Sequence, residues 1–344
     1  MSVLILGMHR SGTSAVASVV EKLGLDPGHG TQWAVESANP RGLHEWLETV
    51  EFDDEWLARL GGAWWAPPRV GPSAWRDLDI LDLEMARKRL EYFSPAFKDW
   101  YVKDPRISLL LPLWDRLLLR EYPAIVVVRS PQAVATSLRL RSGINPTRAL
   151  SLWAEYYRAI LSTLGGRKTI VVDYEQMLAD PDETVEAIAA FVAGGTTSGI
   201  APSSTEARDQ LDASLRRSSE EAGSDYVARL VFELSDLHGE LVRSHLHPPK
   251  PGLEDYTLPP WATESLDEAY DLFRALSEMH RYREANERII FGGSYRAAQF
   301  LAQVSEPVRA LRKGKRGEYI RREQPKYRKV QEGSHPSVPR NPAS

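Results

Sequence analysis

The first fourteen residues, MSVLILGMHRSGTS, constrain the chain more than any other stretch. Val3 to Leu6 form a short aliphatic run, Gly7 and Gly12 bracket a polar turn, and Thr13 and Ser14 open a segment whose apolar residues (Ala15, Val16, Val19, Val20, Leu23) recur at helical spacing. This predicts a strand, a tight loop and a helix. Glycines let such a loop turn its backbone N–H groups inward, and the helix start adds roughly half a positive charge, so the unit suits a phosphate. The separation of Gly7 and Gly12 matches a P-loop, but Thr13 and Ser14 stand where that pattern requires Lys and then Ser or Thr. Arg10, upstream, is the loop's cation.

Beyond this unit, buried-type strands alternate with helical patterns: Trp100–Lys103, Ala124–Val128 and Thr169–Val172 between helices at Leu78–Tyr92, Leu109–Leu119, Pro131–Arg141, Leu150–Leu164 and Pro181–Val192. Such alternation predicts an α/β three-layer sandwich with a central parallel sheet, P-loop NTPase-like, plus a helical C-terminal extension. Gly42 to Leu60 suits one or two short helices, and Pro67, Pro68 and Pro72 mark a loop. A Gly/Ser/Thr/Pro linker at Gly194–Ser204 leads to helical patterns at Glu206–Arg217, Asp225–Leu246 and Thr263–Ile290, parted by a Pro-rich hinge from Pro248 to Pro260. The expected domains are 1–195 as core, 196–305 as linker and helical cap, and 306–344 as a basic tail. His245 and His247, beside prolines, read as loop residues.

Composition removes several function classes. No window approaches eighteen consecutive apolar residues and no basic leader precedes the first apolar run, so neither stable membrane insertion nor a signal peptide is expected, and the expected compartment is the cytoplasm. There is no cysteine, hence no disulfide, thiolate metal site or Cys nucleophile. The net charge of −4 is not that of a general nucleic-acid binder; from Glu306 onward, however, eleven Lys or Arg face four Glu. Trp33, Trp46, Trp56, Trp64, Trp65 and Trp75 make the first quarter rich in indole, mostly for packing, with one or two expected at an acceptor cleft.

Three strand ends carry the chemistry-bearing residues. Arg129 ends the run Ala124–Val128, and Ser137 lies about two turns along the next helix, so both can reach one anion. Lys103 ends its strand in Val102-Lys103-Asp104-Pro105-Arg106, where a cation near an anion cradle can neutralise developing charge. Asp173 and Tyr174 open the segment DYEQMLADP.

GMHRSGTS, NPRGLHE (Asn39 to Glu45), VKDPR, VVVRSPQAVATS and VVDYEQMLADP, in this order, resemble the bacterial sulfotransferases that use 3′-phosphoadenosine 5′-phosphosulfate (PAPS). The resemblance covers residues 1 to about 193. It implies that His9, Arg10, Ser11, Gly12, Thr13 and Ser14 hold the 5′-phosphosulfate, that Arg129 and Ser137 hold the 3′-phosphate, and that Tyr174 approaches the adenine. It further implies that Lys103 and Arg10 meet charge on the transferred group, that adenosine 3′,5′-bisphosphate is the product, and that the acceptor is a small-molecule or carbohydrate hydroxyl. Pro105 stands where animal cytosolic members carry a catalytic His, so the general base is Glu45, His44 or Glu36, with Glu45 preferred. Arg312-Lys313-Gly314 resembles a late phosphate loop of the family but lies too far along to receive a role. Two readings remain beside this one: a small-molecule kinase with a degenerate P-loop, using Asp104 or Asp173 to hold Mg²⁺, and a nucleotide-binding interaction module. Oligomeric state is not legible.

Overall fold

The computed structural model describes residues 1–28, 44–93, 99–194, 204–211 and 225–287. Trp33, Glu36, Asn39 to Leu43, the linker from 195 to 203, Arg312-Lys313-Gly314 and the basic tail lie outside these residues.

The architecture is α/β, with four described strands in one parallel sheet: β1 (Val3–Leu6), β2 (Tyr101–Lys103), β3 (Ala124–Val128) and β4 (Thr169–Asp173), in spatial order β2-β1-β3-β4. The aliphatic runs give strands buried on both faces, and their period of two divides the core. Val3, Ile5, Ile125, Val127, Ile170 and Val172 face one layer with α1 (Thr13–Lys22), α9 (Pro181–Val192) and α10 (Ser204–Arg208). Leu4, Leu6, Val126, Val128 and Val171 face the other with α2 (Leu47–Arg59), α4 (Ile80–Phe93), α5 (Ile107–Leu118), α6 (Pro131–Ser142) and α7 (Pro146–Leu164). Two short helices, α3 (Pro72–Arg76) and α8 (Tyr174–Ala179), complete the part before the linker.

Side-chain caps explain several helix starts. α7 begins four residues before the expected Leu150 because Asn145 accepts a hydrogen bond from the Arg148 N–H at 2.8 Å and Pro146 takes the first helical position. Asp173 and Asp180 cap α8 and α9 in the same way. One 13-residue helix, α2, replaces the one or two short helices expected before Leu60, and α3 occupies part of the expected proline loop.

The single helix expected over Asp225–Leu246 is two helices, α11 (Asp225–Glu233) and α12 (Ser235–Arg243), broken at Leu234. Together with α13 (Pro260–Glu287), they contribute Leu230, Leu234, Leu237, Leu241, Leu266 and Ala269 to the layer that includes α7. His245 and His247 lie in a turn, as expected, but that turn bonds the outer edge of β4. Leu246 N–H donates to Val171 O at 2.7 Å and Val171 N–H to His247 O at 2.9 Å, so the sheet edge is covered.

Under the loop lies a buried polar cluster. Arg106, 2% exposed, joins Asp54 at 2.7 Å and Asp104 at 3.0 Å, while Asp53 accepts from the Trp114 indole N–H at 2.8 Å. Burial, with the Asp104 carboxylate, pushes the Asp53 carboxyl well above the carboxylate range. The folded protein therefore holds that proton more tightly than the unfolded chain, and Asp53 costs stability as pH rises from about 4 through its raised value. Asp53→Asn is expected to raise the melting temperature at pH 8 by about 2–4 °C, with no gain at pH 4, as read by calorimetric scans; a gain independent of pH contradicts the assignment.

Candidate functional site

β1 is flanked by β2 and β3, so the crossover after β2 runs back over β1 and leaves a crevice where the carboxyl ends of β1 and β3 meet. Open α/β sheets bind ligands at such switch points. Here Gly7 follows β1 and Arg129 follows β3.

The loop is held tightly. Gly7 N–H donates to Ser108 Oγ at 2.9 Å, and that hydroxyl donates back to Gly7 O at 3.2 Å, tying the loop to α5. Arg10 has φ 71° and Gly12 has φ 100°, the latter at the N-cap of α1. A Cβ on Gly12 would lie 2.2 Å from the Tyr174 ring, so glycine is required by both backbone and space. Gly12→Ala is expected to weaken adenosine 3′,5′-bisphosphate binding about tenfold, from strain of roughly 1–2 kcal/mol, as measured by calorimetry; wild-type affinity would show that the loop accommodates the methyl without loss.

Residues far apart in sequence converge on this loop. Arg10 Nε donates to Ser137 Oγ at 2.9 Å, and Arg129 donates to Arg10 O at 3.5 Å. The Arg129 guanidinium lies over the Tyr174 ring, 4.5 Å from its centre, with Glu175 at 3.7 Å. Lys103 Nζ donates to Ser14 Oγ at 3.2 Å and pairs with Glu45. The Lys103 side chain is 2% exposed and that of Glu45 12%. Tyr174, buried, is packed between Gly12 and Arg129.

Ser11 and Thr13 are buried within the loop, and Ser11 N–H donates to Met8 O at 3.2 Å. The His9 ring lies 4.7 Å from that of Trp64 and 5.8 Å from that of Tyr156, and its Nε2 is buried with no hydrogen-bond partner. Burial, with the cations Arg106, Lys103, Arg141 and Arg10, pushes its pKa well below the usual imidazole value, so His9 is neutral at pH 7. Trp56, Trp64 and Trp65 all belong to the core, and Trp64 also lies beside the loop through the His9 ring.

The side chains of His44 and Glu45 go to different partners. Glu45 joins Lys103 and the loop, whereas the His44 imidazole lies against α1, with Nε2 2.7 Å from Ser18 Oγ and Nδ1 3.1 Å from Glu21 Oε2. The hydrogen bond with His44 holds the Glu21 carboxyl below the usual range. Ser18, Glu21 and Tyr101 did not figure in the sequence reading, although Ser14, Ser18 and Glu21, at i, i+4 and i+7, share one face of a helix. Asp104 is committed to Arg106 and Asp173 to the cap of α8. Among the described residues no group of three or more His, Asp or Glu could hold a metal ion, and no helix is long and apolar enough to cross a membrane.

The model of the Sulfotransferase family matches residues 2–194. Among solved structures, the chain is similar to a sulfotransferase domain from the Synechococcus PCC 7002 olefin synthase, at 19% identity over 80% of this chain and 94% of that one, with a TM-score of 0.35. It is also similar to a sulfotransferase domain from the curacin biosynthetic pathway, at 15% identity over 77% and 96%, again with a TM-score of 0.35. No curated protein matches.

Proposed function

The chain belongs to the sulfotransferase family, and from that premise we propose that it transfers a sulfuryl group from PAPS to a hydroxyl of a small-molecule, sugar or natural-product acceptor. The observation that carries this reading is the convergence of Arg10, Lys103, Arg129 and Ser137 on the loop after β1, with Glu45 beside Lys103. Three cations at the carboxyl edge of the sheet suit a ligand with two separated anionic groups.

In this reading the donor supplies the sulfuryl group and leaves as adenosine 3′,5′-bisphosphate. The loop from His9 to Ser14 holds the phosphosulfate through backbone amides, the start of α1 and Arg10. Arg129 and Ser137 hold the 3′-phosphate, and Tyr174 stiffens both ends of that site by packing on Gly12 and Arg129. Glu45 takes the acceptor hydroxyl proton as the new S–O bond forms. Lys103 and Arg10 offset charge on the oxygen whose bond to sulfur breaks. His9, neutral and with a buried, unpartnered Nε2, lines the same loop without adding a competing charge. Residues 1–195 form the donor-binding core, and the later helices cap it on the α7 side.

The test is incubation with sulfur-labelled PAPS and a panel of phenol, sugar and alkyl alcohols, with calorimetric titration by adenosine 3′,5′-bisphosphate and by ATP with Mg²⁺. Labelled product and metal-independent binding of the bisphosphate are expected. Binding of ATP with Mg²⁺ alone would overturn the reading.

A further inference from the structure

The His44 side chain turns away from the loop, and it is held on several sides. Its Nε2 lies 2.7 Å from Ser18 Oγ and its Nδ1 3.1 Å from Glu21 Oε2; Tyr101 OH donates to the same carboxylate oxygen at 3.1 Å and lies 3.4 Å from Nδ1. Ser18 Oγ also donates to Ser14 O at 3.1 Å. A neutral ring that donates to Glu21 from Nδ1 accepts at Nε2 from the Ser18 hydroxyl, whose other acceptor is Ser14 O. The backbone of His44 has φ 52°, a left-handed conformation that a non-glycine residue keeps only where its surroundings fix it.

The register explains what is fixed. Glu45 meets Lys103 of β2, and Lys103 meets Ser14 of α1. His44 meets Tyr101, two residues earlier on the same face of β2, and Ser18, one turn later on α1. Consecutive residues are therefore clipped across the same two elements at successive rungs. We propose that His44 is a positioning residue whose imidazole, tethered to Ser18 and Glu21, sets Glu45 against Lys103. The order Ser18, His44, Glu21 is also that of a hydrolytic triad, but Ser18 lies inside α1, whose interior amides are committed to the helical ladder and cannot hold an oxyanion.

The inference rests on Glu45 as the base of the proposed transfer. The experiment is steady-state transfer by wild type, Glu45→Gln, His44→Gly and Glu21→Ala, with bisphosphate affinity as the check on the folded loop. His44→Gly and Glu21→Ala are each expected to lower kcat about ten- to a hundredfold with bisphosphate affinity unchanged. Glu21→Gln, which keeps an acceptor oxygen for Nδ1–H, should retain most activity, and His44→Gly should add no loss to Glu45→Gln. Added imidazole should not restore His44→Gly, because a free ring cannot tether the chain; restoration would make His44 a proton carrier and overturn the proposal. Wild-type kcat in His44→Gly and Glu21→Ala, with Glu45→Gln inactive, overturns the tether alone. Absence of transfer by wild type overturns the function and the tether together.

Discussion

Replacing Arg129 by Ala is expected to lower the affinity for adenosine 3′,5′-bisphosphate about 10²- to 10³-fold, because a hydrogen bond to a charged group contributes about 1.5–3 kcal/mol and guanidinium can give two to one phosphate. The side chain is pre-organised: buried at the end of β3, stacked on Tyr174 and bonded to the Arg10 carbonyl, it has little rotamer freedom left to lose. Arg129→Lys keeps the charge but not the planar fork and should recover only part of the loss. Adenosine 5′-phosphate, which lacks the second phosphate, should bind wild type and Arg129→Ala alike. Calorimetry of the two nucleotides on the three proteins decides the matter; equal weakening of both by Arg129→Ala would move Arg129 from the 3′-phosphate to the loop itself.

The parts of the fold set by local chemistry could be read from the sequence. Aliphatic runs at Val3–Leu6, Ala124–Val128 and Thr169–Val172 leave no polar face, so only a sheet covered on both sides suits them, and that sheet is found. The early start of α7 was missed at Leu150, although Asn145-Pro146, a cap followed by a first-position proline, signals it. The break at Leu234 and the covering of β4 by Leu246 were not legible, since both depend on what the segments pack against. For the site, sequence order brought out Arg10, Lys103 and Arg129, each at a strand end or in the turn that follows one, and Ser137, about two turns along α6. It could not show that Ser18, Glu21 and Tyr101 hold His44, because those contacts join residues up to fifty-seven positions apart across α1 and β2. Nor could it show that Arg106 pairs with both Asp54 and Asp104 beneath the loop, because that pairing depends on what is buried there.

Glu45→Gln should reduce kcat for an alcohol acceptor about 10²- to 10⁴-fold, the range that a positioned proton acceptor contributes, while bisphosphate affinity stays within a few-fold. The amide has the shape of the carboxylate and can still accept from Lys103, so the substitution separates proton transfer from packing. The ion pair itself makes a rival explanation concrete: Glu45 could matter only by holding the Lys103 ammonium in place. The two are distinguished by acceptor acidity. A phenol that ionises near neutral pH needs little help in losing its proton, so the defect of Glu45→Gln should shrink steadily as the acceptor becomes more acidic. Lys103→Met, which removes charge stabilisation of the departing oxygen, should be defective with every acceptor alike. A defect in Glu45→Gln that ignores acceptor acidity and matches that of Lys103→Met would assign Glu45 to the support of Lys103 and leave the acceptor proton to another group, of which His9, neutral and with an unpartnered Nε2 in the same loop, is the next to change.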